Sequence, residues 1–569
     1  MASLRGSFRA LSWANHLLAH QRPSWKCASC KIPRSAVLRS PRRYATTSAA
    51  PKKPYYVTTP IFYVNAAPHV GHLYTMVIAD VLKRWRAVLG EEGAQLLTGT
   101  DEHGMKIQQA AQAAGIDTQA FCDRNCKTFK DLAQAADLDH DHFIRTTDAS
   151  HKQAVQYFWE MLENRGYIYT SKHEGWYSVS DETFYPQSQV HLALDPATGR
   201  KRMVSIETGK EVEWSSETNY HFRLSAFKDR LLELYETGFI APEHYKDRVV
   251  QAVTSGLTDL SISRPVERLT WGIPVPGDDS QTIYVWLDAL VNYLTKAGYP
   301  FPPGEGARLG WPADVHVVGK DIVRFHCVYW PAFLMALDLP LPRNVLVHAH
   351  WTMNREKMSK STGNVVNPFF AIDRFGVDTM RFFLAHQGGF ASDADYDNAH
   401  IIRDYKKYLQ KGIGNIAHRT IGCSKGKLRT YILNATSGTS PASPADKTYQ
   451  SVLEKLPTRV SEHMEKLNPR SAIQEIMAVV LQTNKYFSNS APWSDPEEKQ
   501  RVLYNVAESM RITGILLQPF MPTKAKEILD VFRVDTSKRK LSDASYGSDA
   551  GYGEGIEKKI IFPPLVSEE

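Results

Sequence analysis

Apolar residues follow three different patterns along the 569-residue chain. Tyr55–Val64 is dense in β-branched and aromatic residues, which predicts a buried strand. The turn Asn65-Ala66-Ala67-Pro68 follows. From Val70 to Leu89 the apolar positions Leu73, Met76, Val77, Val81, Trp85 and Val88 recur at helical spacing, and Gly90 supplies a stop. Ala94–Thr98 reads as a second strand. Strand, turn, helix, strand is the opening of a doubly wound α/β domain with a parallel, Rossmann-like sheet. Between about 165 and 265 the pattern shifts to aromatic strands broken by turns (Asp195 to Arg200; Glu207 to Lys210), so about 100 residues are expected as an insertion. The α/β pattern then resumes, with strands expected at Thr282–Trp286, Val315–Val318 and Val345–His348. Beyond about residue 395 the pattern is helical, with amphipathic stretches at Ile401–Thr420 and Ser471–Phe487. Ala435–Ala445 reads as a Ser/Thr/Pro linker, and Ser542–Gly555 as a mobile low-complexity stretch.

Charge changes this picture at one end. The chain carries 68 Lys and Arg against 61 Asp and Glu, a formal +7. Eleven of those bases lie in residues 1–53, where there is no acid; the first is Asp80. Without that segment 57 bases face 61 acids, a net of −4. Overall charge is therefore no argument for nucleic-acid binding, and any RNA contact must come from local patches. An Arg-, Ser- and Ala-rich leader without acids, amphipathic from Leu4 to Leu18, reads as a mitochondrial transit peptide cut near Arg43-Tyr44. The competing reading is a disordered nucleic-acid-binding arm. No apolar run is long enough to span a bilayer. Six cysteines (Cys27, Cys30, Cys122, Cys126, Cys327 and Cys423) are too few and too scattered for a disulfide framework. The expected division is a leader at 1–46 and an α/β catalytic domain at 47–164 and 266–345, interrupted by the insertion 165–265. A linking region at 346–395 and a helical domain at 396–569 complete it.

Two segments carry candidate chemistry. His69-Val70-Gly71-His72 lies where the first strand hands over to the first helix, the crevice in which parallel sheets bind nucleotides. A helix N-terminus offers free N–H groups to phosphate, and two imidazoles three residues apart can both donate to triphosphate oxygens. Gly71 lets a flat base lie against the backbone. Lys357-Met358-Ser359-Lys360-Ser361-Thr362-Gly363-Asn364 follows a strand and a polar turn. Two lysines with hydroxyls and a glycine suit a departing pyrophosphate, whose charge must be neutralised as a carboxylate attacks the α-phosphorus. Either segment alone has a bland reading, as surface histidines or a solvated loop. Together and in this order they are hard to dismiss.

With both motifs the chain resembles the class I aminoacyl-tRNA synthetases. Tyr284-Val285-Trp286-Leu287-Asp288-Ala289-Leu290 and Gly319 to His326 narrow the resemblance to methionyl-tRNA synthetases of the organelle type, from about residue 54 to the last helices. The resemblance implies activation of L-methionine by Mg2+-bound ATP and its transfer to tRNA(Met) in the mitochondrial matrix. It implies catalytic roles for His69, His72, Lys357 and Lys360, and ATP contacts from Asn65, Gly71, Gly319, Asp321, Ser359 and Ser361. It implies a methionine pocket of Ile61, Tyr63, Trp286, Ala289, Leu290, Tyr293, Phe325, His326 and Trp330. Asp101 would pair with the substrate ammonium, braced by Arg264. A polarizable thioether favours aromatic edges, and Tyr293 and His326 are expected to offer it weak donors. Tyr284 and Trp330 also fit a packing role. Asn415, Arg419 and Trp493 match anticodon contacts, Trp493 as a stacking surface; Lys406, Lys407 and Lys411 are equally a phosphate-facing patch or a solvated face. Where the family often carries a zinc knuckle, Tyr177 to Glu182 offers no thiolate, so no structural zinc is expected. The chain ends 76 residues after Trp493 with no further domain, which predicts a monomer.

Other readings are weaker. Synthetases for isoleucine, valine and leucine share both motifs but need a large editing domain, which an insertion of this size does not supply. A cysteinyl enzyme would need zinc thiolates. A small-molecule nucleotidyltransferase would not need Lys357–Ser361 or the helical domain. An RNA-binding or splicing factor derived from a synthetase would have lost pocket or phosphate residues.

Overall fold

The computed structural model describes residues 53–178, 183–194, 199–302, 305–358, 364–438, 442–493 and 495–565. The expected leader 1–46 lies outside these residues. Seven parallel strands form the main sheet. Their spatial order is Ile240–Ala241, Asn344–His348, Val315–Gly319, Tyr56–Thr58, Gln95–Asp101 and His142–Arg145. Phe62–Tyr63 continues the Tyr56–Thr58 strand along the same edge of Gln95–Asp101.

Tyr55–Val64 was expected as one strand and forms two. Pro60 has no N–H for the ladder. Thr58 pairs with Leu97 and Phe62 with Thr100, so four steps on one strand face three on its neighbour. The irregularity turns Ile61 and Tyr63 towards the cavity beyond the strand ends.

Alternate residues of these strands feed two cores. Val57, Leu96, Val315, Val317 and Leu346 pack beneath the helix Val70–Val88. Tyr56, Leu97, Val318, Val345 and Val347 pack on the other face, against Ala149–Asn164, Val285–Thr295 and Trp330–Ala336. Burial on both faces is what an all-parallel sheet requires. The chain winds outward from Tyr56–Thr58 in both directions, so the switch point lies between that strand and Val315–Gly319.

Thr282–Trp286 differs from expectation. The strand is Asp278–Ile283, antiparallel to Ser263–Pro265 and Pro274–Val275, and Val285 opens a helix. Ten of that helix's eleven residues are buried, so its apolar run has no polar face to reveal a helical period. The expected insertion contains long antiparallel strands, Ile168–Ser178 against Glu213–Phe222, and a hairpin of Val190–Leu194 with Lys201–Ser205. Within the same span Ile240–Ala241 pairs with Asn344–His348 in the main sheet.

From Asn398 to Val531 the described residues are mostly helical, with 22-residue helices at Pro444–Glu465, Pro469–Ser490 and Pro496–Leu517. Their opening prolines suit a first turn whose N–H groups have no helical partner. Ser542–Gly555, expected to be mobile, is packed. Glu508 accepts from the Tyr552 hydroxyl at 2.6 Å and from the Gly547 N–H at 2.7 Å, and pairs with buried Arg511 at 2.8 Å. The polar residues that read as low complexity satisfy this buried charge pair. Arg381 joins the two regions: it donates to Asp80 at 2.5 Å, to the Ala136 carbonyl at 3.1 Å and to the Pro519 carbonyl at 2.9 Å.

Candidate active site

The carboxyl ends of the strands at the switch point open into a cavity of about 1440 Å³. Its first wall is the start of the helix Val70–Val88. His69 is the N-cap, and its Nδ1 accepts the Gly71 N–H at 3.1 Å. His72 Nδ1 accepts the His69 N–H at 3.1 Å, so two imidazoles perform the reciprocal capping usually done by Ser and Glu. The rings stack with centroids 3.8 Å apart. Because each Nδ1 accepts, the proton of each neutral ring sits on Nε2. A Cβ at Gly71 would lie 2.8 Å from His69 Cε1. Gly71 therefore makes room first for the folded-back His69 ring.

The second wall follows Val315–Gly319. Asp321 curls over Gly319, where a Cβ would meet its Oδ1 at 2.6 Å, and the same oxygen lies 3.0 Å from His350 Nε2. His348 Nδ1 donates to the Ala349 carbonyl at 2.8 Å, and its Nε2 accepts from Thr75 Oγ1 at 2.9 Å. Burial lowers its pKa to about 4, so it is a neutral brace between the first helix and the sheet.

Opposite stands an aromatic pocket. Trp286, Ala289, Leu290 and Tyr293 share one face of Val285–Thr295. Trp286 stacks on Phe325 with centroids 3.5 Å apart and planes 7° from parallel. Phe325–Tyr329 is a π-helical turn closed by the Trp330 N–H donating to the Phe325 carbonyl. Such turns carry an extra residue and often mark functional sites. His326 Nδ1 donates to the Ile322 carbonyl at 3.0 Å, and its Nε2 accepts the Tyr293 hydroxyl at 2.7 Å. Burial holds its pKa near 4. The donor protons of Tyr293 and His326 are thus committed to protein acceptors, contrary to the expectation that they point at sulfur. Towards the cavity they present polarizable ring surface. Trp330 does not line the cavity. It is fully buried, and its Nε1 donates to His316 Nε2 at 3.3 Å.

Asp101 closes the strand Gln95–Asp101 and lines the cavity, as does Arg264. Arg264 donates to Ser261 Oγ and the Ser263 carbonyl, with its guanidinium 4.7 Å from the Tyr284 ring centroid. Ile61, Tyr63, His69, Gly71, His72, Gly319, Asp321, Phe325 and His326 line the same space. Asn65 is exposed on its turn and is not among the lining residues.

The hairpin of Trp351–Met353 and Glu356–Lys357 turns at Asn354 and Arg355, both with positive φ, and aims the chain back at the cavity. Met358 lines it, and the Val70 N–H donates to the Val366 carbonyl at 3.2 Å. Both flanks of the lysine-rich loop therefore meet the site. Ser359, Lys360 and Ser361 lie outside the described residues. Thr75, Asn292, His348 and His350 also line the cavity and were missed. The signal available was position: His348-Ala349-His350 ends a parallel strand, as Gly319-Lys320-Asp321 does.

Asn415, Arg419 and Trp493 come together elsewhere. Asn415 donates to Asn484 at 3.0 Å and Arg419 to Ser488 Oγ at 3.1 Å. The Arg419 guanidinium sits 4.2 Å from the Phe487 ring centroid and 5.9 Å from that of Trp493, whose ring is 63% exposed. Asn484, Phe487 and Ser488 were not anticipated. Lys406, Lys407 and Lys411 fall on the π-helical Tyr405–Gly414, where Lys407 donates to the Tyr408 hydroxyl at 2.9 Å.

Residues 55–421 match the family model for class I tRNA synthetases (M), and residues 446–560 that for the anticodon-binding domain of tRNA ligases. The chain is 49% identical to a probable mitochondrial methionine–tRNA ligase of Neurospora crassa, over all of this chain and 94% of that protein. The chain belongs to the class I methionyl-tRNA synthetases. The human mitochondrial methionine–tRNA ligase is 41% identical, with 90% of each chain covered. The solved Mycobacterium tuberculosis methionyl-tRNA synthetase with methionyl-adenylate is 38% identical. It superposes with a TM-score of 0.82 over 90% of this chain and all of that one. The enzyme's parallel sheet and helical C-terminal region are those of the family. Among the described residues no cluster of three or more His, Cys, Asp or Glu is arranged to hold a metal. At the expected knuckle position Tyr177 and Ser178 pair with Phe184 and Thr183, and residues 179–182 lie outside the described set. Among the described residues no helix is long and apolar enough to cross a membrane.

Proposed function

We propose that this chain performs the methionine–tRNA ligase reaction in the mitochondrial matrix, as a monomer. Methionine carboxylate attacks the α-phosphorus of ATP, which enters as its Mg2+ complex, giving methionyl-adenylate and pyrophosphate. The terminal adenosine hydroxyl of tRNA(Met) then attacks the adenylate carbonyl and releases AMP.

His69 and His72 present Nε2–H donors at the positive end of a 19-residue helix, where charge builds on the triphosphate. Lys357 and Lys360, with Ser359 and Ser361, neutralise the departing pyrophosphate. Asp321 and the Gly319 backbone take the ribose. Asp101 takes the substrate ammonium, and Arg264 helps hold that carboxylate. Ile61, Tyr63, Trp286, Ala289, Leu290, Tyr293, Phe325 and His326 enclose the thioether chain, which gains dispersion and sulfur–aromatic contacts there. No side chain forms a covalent intermediate; rate comes from positioning and charge stabilisation. Asn415, Arg419 and Trp493 read the anticodon.

The observation that carries this reading is the single cavity shared by the histidine-capped helix start and the Trp286–Phe325 pocket. Purified enzyme is tested for methionine- and ATP-dependent charging of mitochondrial tRNA(Met). Charging expected with methionine and absent without ATP supports the reading; charging with another amino acid overturns it.

A further inference from the structure

Behind the aromatic pocket lies a buried ionisable cluster that the reaction as described does not use. Asp288, on Val285–Thr295, lies about 140–160° around the helix from Trp286, Leu290 and Tyr293 by the helical period. Its Oδ2 is 2.6 Å from His103 Nδ1, and its Oδ1 is 2.7 Å from His151 Nε2. His151 Nδ1 is also 3.1 Å from Thr295 Oγ1, seven residues on along the same face as Asp288. All three ionisable residues are at most 2% exposed. Burial alone would raise the Asp288 pKa, but the imidazoles of His103 and His151 overcome it and hold the group at about 2. A buried carboxylate with two ring partners is costly to break, because removing one partner leaves the others desolvated. His103 follows Asp101 by two residues, at the end of Gln95–Asp101.

We propose that His103, Asp288 and His151 form a positioning bridge that fixes the spacing between Asp101 and the aromatic pocket, and so sets the length of amino acid the site accepts. The inference rests on the methionine reading of the cavity. The back of the pocket helix is tied at Asp288 to the residues that directly follow Asp101 and at Asp288 and Thr295 to Ala149–Asn164. The helix can neither slide along its axis nor rotate without breaking these bonds. A substrate held by its ammonium at Asp101 and by its thioether at the opposite wall is measured against that fixed distance. Side chains one methylene too short or too long are disfavoured, an effect worth roughly 10–200-fold per methylene in a rigid pocket.

The test uses full-length enzyme in ATP–pyrophosphate exchange with methionine, with S-methylcysteine (one methylene shorter) and with the homologue one methylene longer. Wild type exchanging with methionine establishes the underlying reading; no exchange sinks that reading rather than the bridge. His103→Ala is expected to raise the methionine KM about tenfold and leave the ATP KM within twofold. It should also cut the kcat/KM preference for methionine over its homologues about fivefold. His103→Asn, whose amide nitrogen stands where Nδ1 stood, should restore most of both losses. His103→Gln, whose amide stands at the Nε2 position, should not, and this pair decides the matter if the alanine variant does not fold. Equal rise of both KM values, unchanged length preference, or Asn and Gln variants that behave alike overturn the bridge.

Discussion

Gly71→Ala separates the role of the histidine pair from its contribution to folding. An added Cβ would stand 2.8 Å from His69 Cε1 and 2.9 Å from its Nδ1, so the ring must swing away. The swing breaks the 3.1 Å bond from the Gly71 N–H, an N-cap interaction worth about 1 kcal/mol. It also separates two rings stacked at 3.8 Å, a loss of about 0.5–1.5 kcal/mol. Against this, alanine is better than glycine inside a helix by about 1 kcal/mol. Net stability should therefore change by only about 1 kcal/mol. Activity should not be spared. Displacing His69 Nε2 removes one preorganised donor from the triphosphate, and losing one such donor lowers kcat by about 100- to 1000-fold. Methionine-dependent pyrophosphate exchange at saturating substrates, beside a thermal melt, reads both effects. Exchange within threefold of wild type at an unchanged melting temperature contradicts the placement of His69 on the triphosphate.

Lys360→Ala should lower the exchange rate about 100-fold or more with little change in methionine binding measured by fluorescence titration; unchanged exchange removes Lys360 from the pyrophosphate site. Trp493→Ala should leave exchange intact and reduce tRNA charging by the roughly 1–3 kcal/mol of one stacked base, whereas equal loss of both activities makes Trp493 structural. Burial lowers the pKa of His326, His348 and His386 to about 4. Above about pH 6.5 these rings are neutral folded or unfolded. Below it the unfolded chain takes up protons that the fold refuses, so stability should fall as pH drops from about 6.5 towards 4. A melting temperature that holds or rises from pH 6.5 to 5 contradicts this. Metal analysis of purified enzyme should find less than one zinc per chain, and a stoichiometric, chelator-resistant zinc would overturn the expectation drawn from Tyr177–Glu182.

The helix at His69 was legible because its signals are local: an apolar period of 3.6, a glycine stop and a strand before it. Elements that tertiary contacts decide were less so. Pro60 marks the break in the first strand, yet only pairing with Gln95–Asp101 shows that the strand resumes at Phe62. Val285–Thr295 is buried almost all round, which erases the pattern that distinguishes helix from strand. Ser542–Gly555 has the composition of a loose segment, but its order comes from Glu508 and Arg511, more than thirty residues away. The same holds at the site. Residues inside motifs could be named in advance, while His348, His350, Asn292 and Asn484 reach their places through the fold. Trp330 shows the converse, since a pocket motif placed it among the substrate contacts and the structure uses it as a buried donor to His316.

The most direct measurement is ATP–pyrophosphate exchange driven by each of the twenty amino acids in turn, without tRNA. Exchange should appear with methionine alone, because on this account adenylate formation needs the Trp286–Phe325 pocket, the histidine-capped helix and the Lys357–Ser361 segment, and no tRNA. Comparable exchange with leucine, isoleucine, valine or cysteine, or none with methionine, would contradict the account.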